Sequence, residues 1–423
     1  MHKRVLTVIA LLLLPMPILA AGQINQQMID AVTSGKVQKA RASWWGFDPE
    51  DSTGALQAAI NSGAKQVVVE NLGKPWIVRP IKLANDQEIT FKRGVEVIAK
   101  QGEFKGITDC LFEADDGKNI ILNGYGATLR MRKTDYMGPD YKKAEWRHIL
   151  CLRSCTNMKI LGLTITESGG DGIYISTSKT AGTNKNITIK DVVCDNNYRQ
   201  GITVNTAEDL LIENTVMKNT QGTNPEAGID FEPNYSTERL VNILVQNCRT
   251  DHNHALGYVF SLHVLDATST PVSIKVENCV SVSDGSYSAY IETGNTPEKA
   301  VTGNIEFNNC SFQDAGYAGA FVTNLPSNGC KVQFNDCSFL PAPKIATGAI
   351  VIQSQKTASE PVGGVDFSDC IVNDLPNRKP IVYVNKGNVP MKGISGLINV
   401  AKNDEIQTIE LTPQLLDDWV RAK

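Results

Sequence analysis

The 423-residue chain is 42% hydrophobic and 20% charged, which excludes a disordered protein and allows a large buried core. Its formal charge of −4 becomes −6 when the N-terminal Lys3 and Arg4 are set aside, leaving 39 basic against 45 acidic residues. No basic run is interleaved with aromatic residues, so nucleic acid and anionic membrane surfaces are excluded as main partners.

The opening "MHKRVLTVIALLLLPMPILAAG" reads as a secretory signal over residues 1–21: a basic start, an apolar stretch from Val5 to Leu14, and small residues at Ala20-Ala21. The apolar stretch is too short and too Pro-broken to span a membrane. The expectation is a secreted or periplasmic protein with no membrane span after signal removal, and a single domain over residues 22–423.

Next, "DPEDSTGALQAAINSG" reads as a helix opened by Asp51 or Ser52, with Leu56, Ala59 and Ile60 as its apolar stripe. It is predicted to cap the fold over about residues 44–63. Strand-like "KQVVVE", "WIVRPIKL" and "ITFKRGVEVIA" follow. "RMRKTDYMGPDYKKAEWRH", Arg130 to His148, carries no repeat and is expected to form a loop beside a groove. Arg130 and Arg132 would suit an acidic glycan if that loop folds over the groove.

A repeat then dominates. "VQNC" (Cys248), "VENC" (Cys279), "FNNC" (Cys310), "FNDC" (Cys337) and "FSDC" (Cys370) recur at intervals of 31, 31, 27 and 33 residues. Looser copies, "IKDV" and "IENT", place Val192 and Thr215 in the Cys slot. After each phrase and a polar turn comes a short strand opening on a small residue: "GIYIS" (172–176), "GITVN" (201–205), "GIDFE" (228–232), "GYVFS" (257–261), "SAYIE" (288–292) and "GAIVI" (348–352). Alternation is period two, not 3.6, and each repeat offers about three strands, as in "NITIKD", "VVCDNN" and "GITVNT". That pattern predicts an all-β, right-handed parallel β-helix whose strands pair with their equivalents one coil away.

The five repeat cysteines then form a buried column of small thiols rather than a metal site. Asp191, Asn214, Asn247, Asn278, Asn309, Asp336 and Asp369 form a corner ladder, expected to satisfy turn backbone groups. Cys110, Cys151, Cys155 and Cys330 lie outside the column, and their pairing is not readable. "TPQLLDDWVRAK" (412–423), with Pro413 at the first helical position, predicts a C-terminal helix lidding the last coil through Leu415, Leu416, Trp419 and Val420.

From about Trp44 to Val384, the helix, the strands after it and the "NITIKD…NN…GI" coils resemble the pectate-lyase-like right-handed β-helix superfamily. The resemblance implies a polysaccharide-acting protein: a lyase, a polygalacturonase-type hydrolase or a uronan epimerase. The polygalacturonase motif set (Asn-Thr-Asp, Asp-Asp, Gly-His-Gly, Arg-Ile-Lys) and the Asp-Pro-His phrase of alginate epimerases are absent. No single family's site residues therefore carry over.

In "GIDFE", Ile229 and Phe231 take the core while Asp230 and Glu232 face outward. Aligned coils give one outward row of Tyr174, Thr203, Asp230, Val259 and Tyr290, and another of Ser176, Asn205, Glu232, Ser261 and Glu292. Asp171, Arg199, Glu226 and His254 precede these strands, with Arg199 a potential partner of Glu226. Residues i and i+2 on a strand stand roughly 6.6 Å apart, within the separation a pair of glycosidase carboxyls needs. Like charges this close raise one pKa, as an acid/base pair requires.

The expected catalytic carboxylates are Asp230, Glu232 and Asp171. Arg199, Asn205, His254, Thr203, Tyr174 and Glu292 are the expected contacts to a polysaccharide or oligosaccharide. Hydrolysis requires no cofactor. The alternative, β-elimination on a uronate polymer, would hold Ca²⁺ on the carboxylates and use Arg199 or His254 as base. A third reading leaves these groups solvating a strand face or holding a glycan without cleaving it.

Overall fold

Period-two alternation becomes stacked coils in the computed structural model, which describes residues 22–178, 182–340, 348–373, 378–402 and 405–421. The predicted signal segment lies outside these residues. A representative coil runs through strands Asn184–Lys190, Val193–Asp195 and Gln200–Val204. The next runs through Ala207–Glu213, Val216–Lys218 and Ala227–Phe231. They pair in parallel and in register, with Ile187 beside Leu210, Val193 beside Val216 and Ile202 beside Ile229.

Repetition builds a right-handed parallel β-helix of about 11 turns with small terminal helices. The third strand of each coil contributes to a 12-stranded sheet, and the other two contribute to a 22-stranded sheet that wraps around the rest. Ile202, Val204, Ile229, Phe231, Tyr258, Phe260 and Ile291 are fully buried between the sheets. Aromatic rings stack from coil to coil inside: Phe231 on Phe260 at 5.1 Å, Phe307 on Phe334 at 4.8 Å, Phe334 on Phe367 at 5.4 Å.

The corner residues Asp191, Asn214, Asn247, Asn278, Asn309, Asp336 and Asp369 all take φ between 49° and 56°. Asn and Asp tolerate this left-handed conformation best among residues with a side chain. Their side chains do something other than expected. Asn214 donates to Asp191 (3.1 Å) and Asn309 to Asn278 (2.8 Å), along the axis. The corner backbone is already satisfied, because Asn214 N–H donates to Gln246 O and Asn247 N–H to Glu277 O in the following coil. The amides are therefore free to bond one another.

The cysteine column forms as expected, with Cys248, Cys279, Cys310, Cys337 and Cys370 all free and buried. Cys110 and Cys151 form a disulfide, while Cys155 and Cys330 are buried free thiols.

At the N-terminal end, the helix Thr53–Ile60 buries Leu56, Ala59 and Ile60. Ser52 occupies its N-cap position without a side-chain cap bond, while Asp51 Oδ1 accepts from Thr53 N–H at 3.2 Å. A second helix, Gln26–Thr33, packs nearby and has no counterpart in the sequence expectations.

The C-terminal lid is shorter than predicted. Thr412 caps a helix spanning only Pro413–Asp417, and Val420–Arg421 then pairs in parallel with Ile381–Asn385. A solenoid's open end leaves unpaired strand groups, and this short strand satisfies some of them. Leu416 and Trp419 still pack into the core, beside an antiparallel pair formed by Met391–Lys402 and Glu405–Glu410. Among the described residues, no helix is long and apolar enough to cross a membrane.

The insertion after residue 130 is not a solvated loop. Tyr136, Arg147 and His148 are buried within it. Arg147 donates to the carbonyls of Phe104 (2.9 Å) and Lys142 (3.0 Å), and its guanidinium lies 5.5 Å from the rings of Tyr136 and Tyr141. Gly169 and Gly170 form its landing surface. A Cβ on Gly169 would meet the Tyr136 ring at 2.5 Å, and one on Gly170 would meet Glu145 O at 2.7 Å.

Candidate active site

Strand register decides which side chains meet on the outer face of the 12-stranded sheet. Thr203 pairs with Tyr174 on one side and Asp230 on the other, so the three form one row across adjacent coils. Gln200, two residues ahead of Ile202, starts its strand beside Ala227. The same register carried back from Ile173 sets Asp171 beside Gln200.

Asp171 and Gln200 share the parity of core residues, yet Asp171, just before its strand, and Gln200, the first residue of its strand, bond to the outward row. Thr203 Oγ1 lies 2.8 Å from Asp171 Oδ2 and is hydrogen-bonded to Gln200 Oε1. Gln200 Nε2 donates to Asp230 Oδ2 at 2.7 Å. One hydroxyl and one amide thus connect two carboxyl groups.

Asp171 is 0% exposed and Asp230 1%. Burial raises the Asp171 carboxyl to about 7 against the opposing pull of Arg199. Burial, then the charge of Glu232, holds Asp230 well above the ordinary carboxylate range. Glu232 stands at the mouth with its side chain 29% exposed, clamped by Arg199 Nη2 at 2.9 and 3.2 Å. Arg199 therefore pairs with Glu232 rather than with Glu226. Its Nη1 also donates to Gln200 Oε1 at 2.7 Å and lies 3.9 Å from Asp171 Oδ1. Asn205 donates to the Glu232 backbone carbonyl. Asp171 Oδ1, Asp230 Oδ1, Asn205 Oδ1 and Arg199 Nε are buried without a hydrogen-bond partner.

His148 completes the cluster and was not anticipated. Its Nδ1 accepts from Asp171 N–H at 2.9 Å, and its ring stacks on Tyr174 at 4.4 Å. Burial, then Arg199, pushes its pKa well below the usual value, which keeps the imidazole neutral. Two expected contacts lie apart from the cluster. His254 bonds to Glu226, whose other oxygen accepts from Gly222 N–H. Glu292 accepts from Tyr290 OH (2.9 Å) and Gln355 (3.2 Å), in a coil two beyond Asp230. Arg130 and Arg132 also stay away: Arg130 lies 3.9 Å from Glu96, and Arg132 donates to Ala99 O. Among the described residues no group of His, Cys, Asp and Glu is arranged to hold a metal ion.

The arrangement separates its carboxyl groups by environment. Asp230 and Asp171 are driven towards the neutral acid, while Glu232 sits in an ion pair. A pH signature follows. Asp171 is raised from 3.8 to about 7, so the folded state holds a proton that the unfolded chain releases. The stability this contributes is complete below pH ~4 and lost as pH rises to ~7. Asp171→Asn keeps a neutral group at every pH. Its urea midpoint, measured from pH 4 to 8, is expected to rise relative to the unsubstituted protein across that window and to hold level above it.

Fold and site together define a right-handed parallel β-helix protein with a buried carboxylate cluster on one face. No family model matches the chain. A 131-residue stretch is 30% identical to the uncharacterized protein YclG of Bacillus subtilis (strain 168), covering 28% of this chain and 21% of that protein's length. Solved structures share the fold at low identity. The tailspike of E. coli bacteriophage HK620, in complex with a pentasaccharide, superposes with a TM-score of 0.59 at 13% identity, covering 90% of this chain and 68% of that one. The N-terminal fragment of bacteriophage Phi29 gene product 12 gives 0.58 at 16%, covering 92% and 76%. The A-module of the Azotobacter vinelandii mannuronan C-5 epimerase AlgE4 gives 0.56 at 12%, covering 86% and 94%.

Proposed function

We propose that the protein is an exported carbohydrate-active enzyme that hydrolyses glycosidic bonds of a polysaccharide. The observation carrying this reading is the pairing of a buried, proton-retaining Asp230 with an Arg-clamped Glu232 two residues further on, just past the end of the same strand. The separation of i and i+2 on a strand, roughly 6.6 Å, falls in the range used for inversion, about 6.5–9.5 Å.

In this reading the Asp230 carboxyl gives its proton to the glycosidic oxygen as the bond to the anomeric carbon breaks. Glu232 takes a proton from the water that attacks the opposite face. Burial and the charge of Glu232 keep the Asp230 proton in place, and Gln200 and Thr203 orient both aspartates. Arg199, whose side chain is 14% exposed beside Glu232, suits a sugar hydroxyl. The saccharide bound to the tailspike and the polymer named for the epimerase agree in ligand class.

Elimination on a uronate is the second reading. It has less support because Arg199 is committed to Glu232, and His254 to Glu226. Incubation with a glycan panel separates the two. Hydrolysis yields new reducing ends without the ultraviolet absorbance of unsaturated uronates; appearance of that chromophore would overturn the hydrolytic assignment.

A further inference from the structure

Beside the carboxylate cluster lies a cavity of about 210 Å³ walled by Lys143, Ala144, Glu145, Trp146, Tyr198 and Thr223. Two segments far apart in sequence build it. The insertion supplies residues 143–146, and the coil corners supply Tyr198 and Thr223.

Both walls are held in place. The loop is pinned one residue further on by the buried Arg147, which bridges to Gly169, and two residues further on by His148 in the carboxylate cluster. Tyr198 is fixed through its backbone to Gly170 O, and its ring lies over Gly222, where a Cβ would stand 2.1 Å from it. Any side chain at residue 222 would displace that ring. Thr223 Oγ1 donates to Glu145 Oε2 at 3.3 Å and ties the two walls together. Glu145 also acts on the charge of Asp171, so the cavity adjoins the site electrostatically as well as along the chain. Yet Trp146 remains 44% exposed. A large amphipathic ring held open at the edge of a built cavity is an unusual use of a tryptophan unless it meets a ligand.

We propose that this cavity is a saccharide subsite holding one neutral pyranose ring of the chain whose neighbouring unit reaches Asp230 and Glu232. The ring places its C–H face against Trp146 and Tyr198 and its hydroxyls on Glu145 and Thr223. Glu145, tied to Thr223, repels a uronate carboxylate placed against it, while Lys143 on the same cavity carries the opposite charge. The assignment rests on the reading of the adjacent carboxylates as glycan-directed.

The test uses the full mature chain carrying Asp230→Asn, so that ligand survives the measurement. Calorimetric affinities are taken for neutral gluco-, galacto- and manno-configured hexasaccharides and for uronic hexasaccharides. At least one neutral member is expected to bind, about tenfold more weakly after Trp146→Ala and near the parent affinity after Trp146→Phe. Equal affinity after Trp146→Ala, binding restricted to the uronic members, or no Trp146-dependent binding by any member overturns the subsite. The hydrolytic reading fails separately. Trp146-dependent binding without reducing ends from the unsubstituted protein leaves the subsite standing. Reducing ends with unchanged affinity in Trp146→Ala removes the subsite and leaves the hydrolase.

Discussion

Asp230→Asn is expected to lower turnover by roughly 10²–10⁴-fold, the range a positioned general acid supplies, while leaving the fold intact. The side chain is near-isosteric, and Asn still offers an oxygen to Gln200 Nε2, which donates to Asp230 Oδ2 in the parent. What disappears is the transferable proton on a carboxyl held well above its ordinary range by burial and by Glu232. Folding provides an internal control. The variant no longer confines an ionisable acid beside Glu232, so its urea midpoint at neutral pH should equal or exceed that of the parent. Reducing-end release and the unfolding curve, measured on one preparation, check both halves. Full activity in the variant would remove Asp230 from the chemistry.

Phe260→Ala is expected to cost about 3–5 kcal/mol, the range for deleting a buried aromatic ring. Phe260 is fully buried, stacked on Phe231 at 5.1 Å and edge-on to Phe307 at 5.6 Å. Its removal leaves a cavity that in-register coils cannot easily close, because each is hydrogen-bonded to the next along the axis. Phe231 stands between Asp230 and Glu232 in the chain and points to the core, so activity should fall at temperatures where the chain is still mostly folded. Chemical denaturation gives the loss of stability, and a temperature series of activity gives the local effect. A loss below about 1 kcal/mol would mean that the coil repacks around the gap.

The coils are legible in sequence because each is built from contiguous residues: alternation, turn and small opening residue recur about every thirty positions. Asp230, Thr203 and Asp171 could be aligned by that recurrence, and the structure joins them through Thr203 and Gln200. Gln200 was not legible, since strict alternation assigns it to the core beside Ile202. As the first residue of its strand, it instead bonds Asp230 and Thr203 with its side chain. His148 and Trp146 were not legible either. They lie in an insertion without periodicity, placed only by the burial of Arg147 and by the space that Gly169 and Gly170 leave open.

By itself the sequence determined the β-helix, its register, the Asn/Asp corners and the buried thiol column. All of these follow from local pattern repeated along one axis. Only the tertiary structure decided that Asp230 is sealed from water, that Arg199 clamps Glu232 and not Glu226, and that Cys110 pairs with Cys151. It also decided that a neutral histidine backs Asp171. Burial, charge pairing and cross-linking depend on which side chains the stacking of coils and the folded insertion bring together, and no single repeat contains that information.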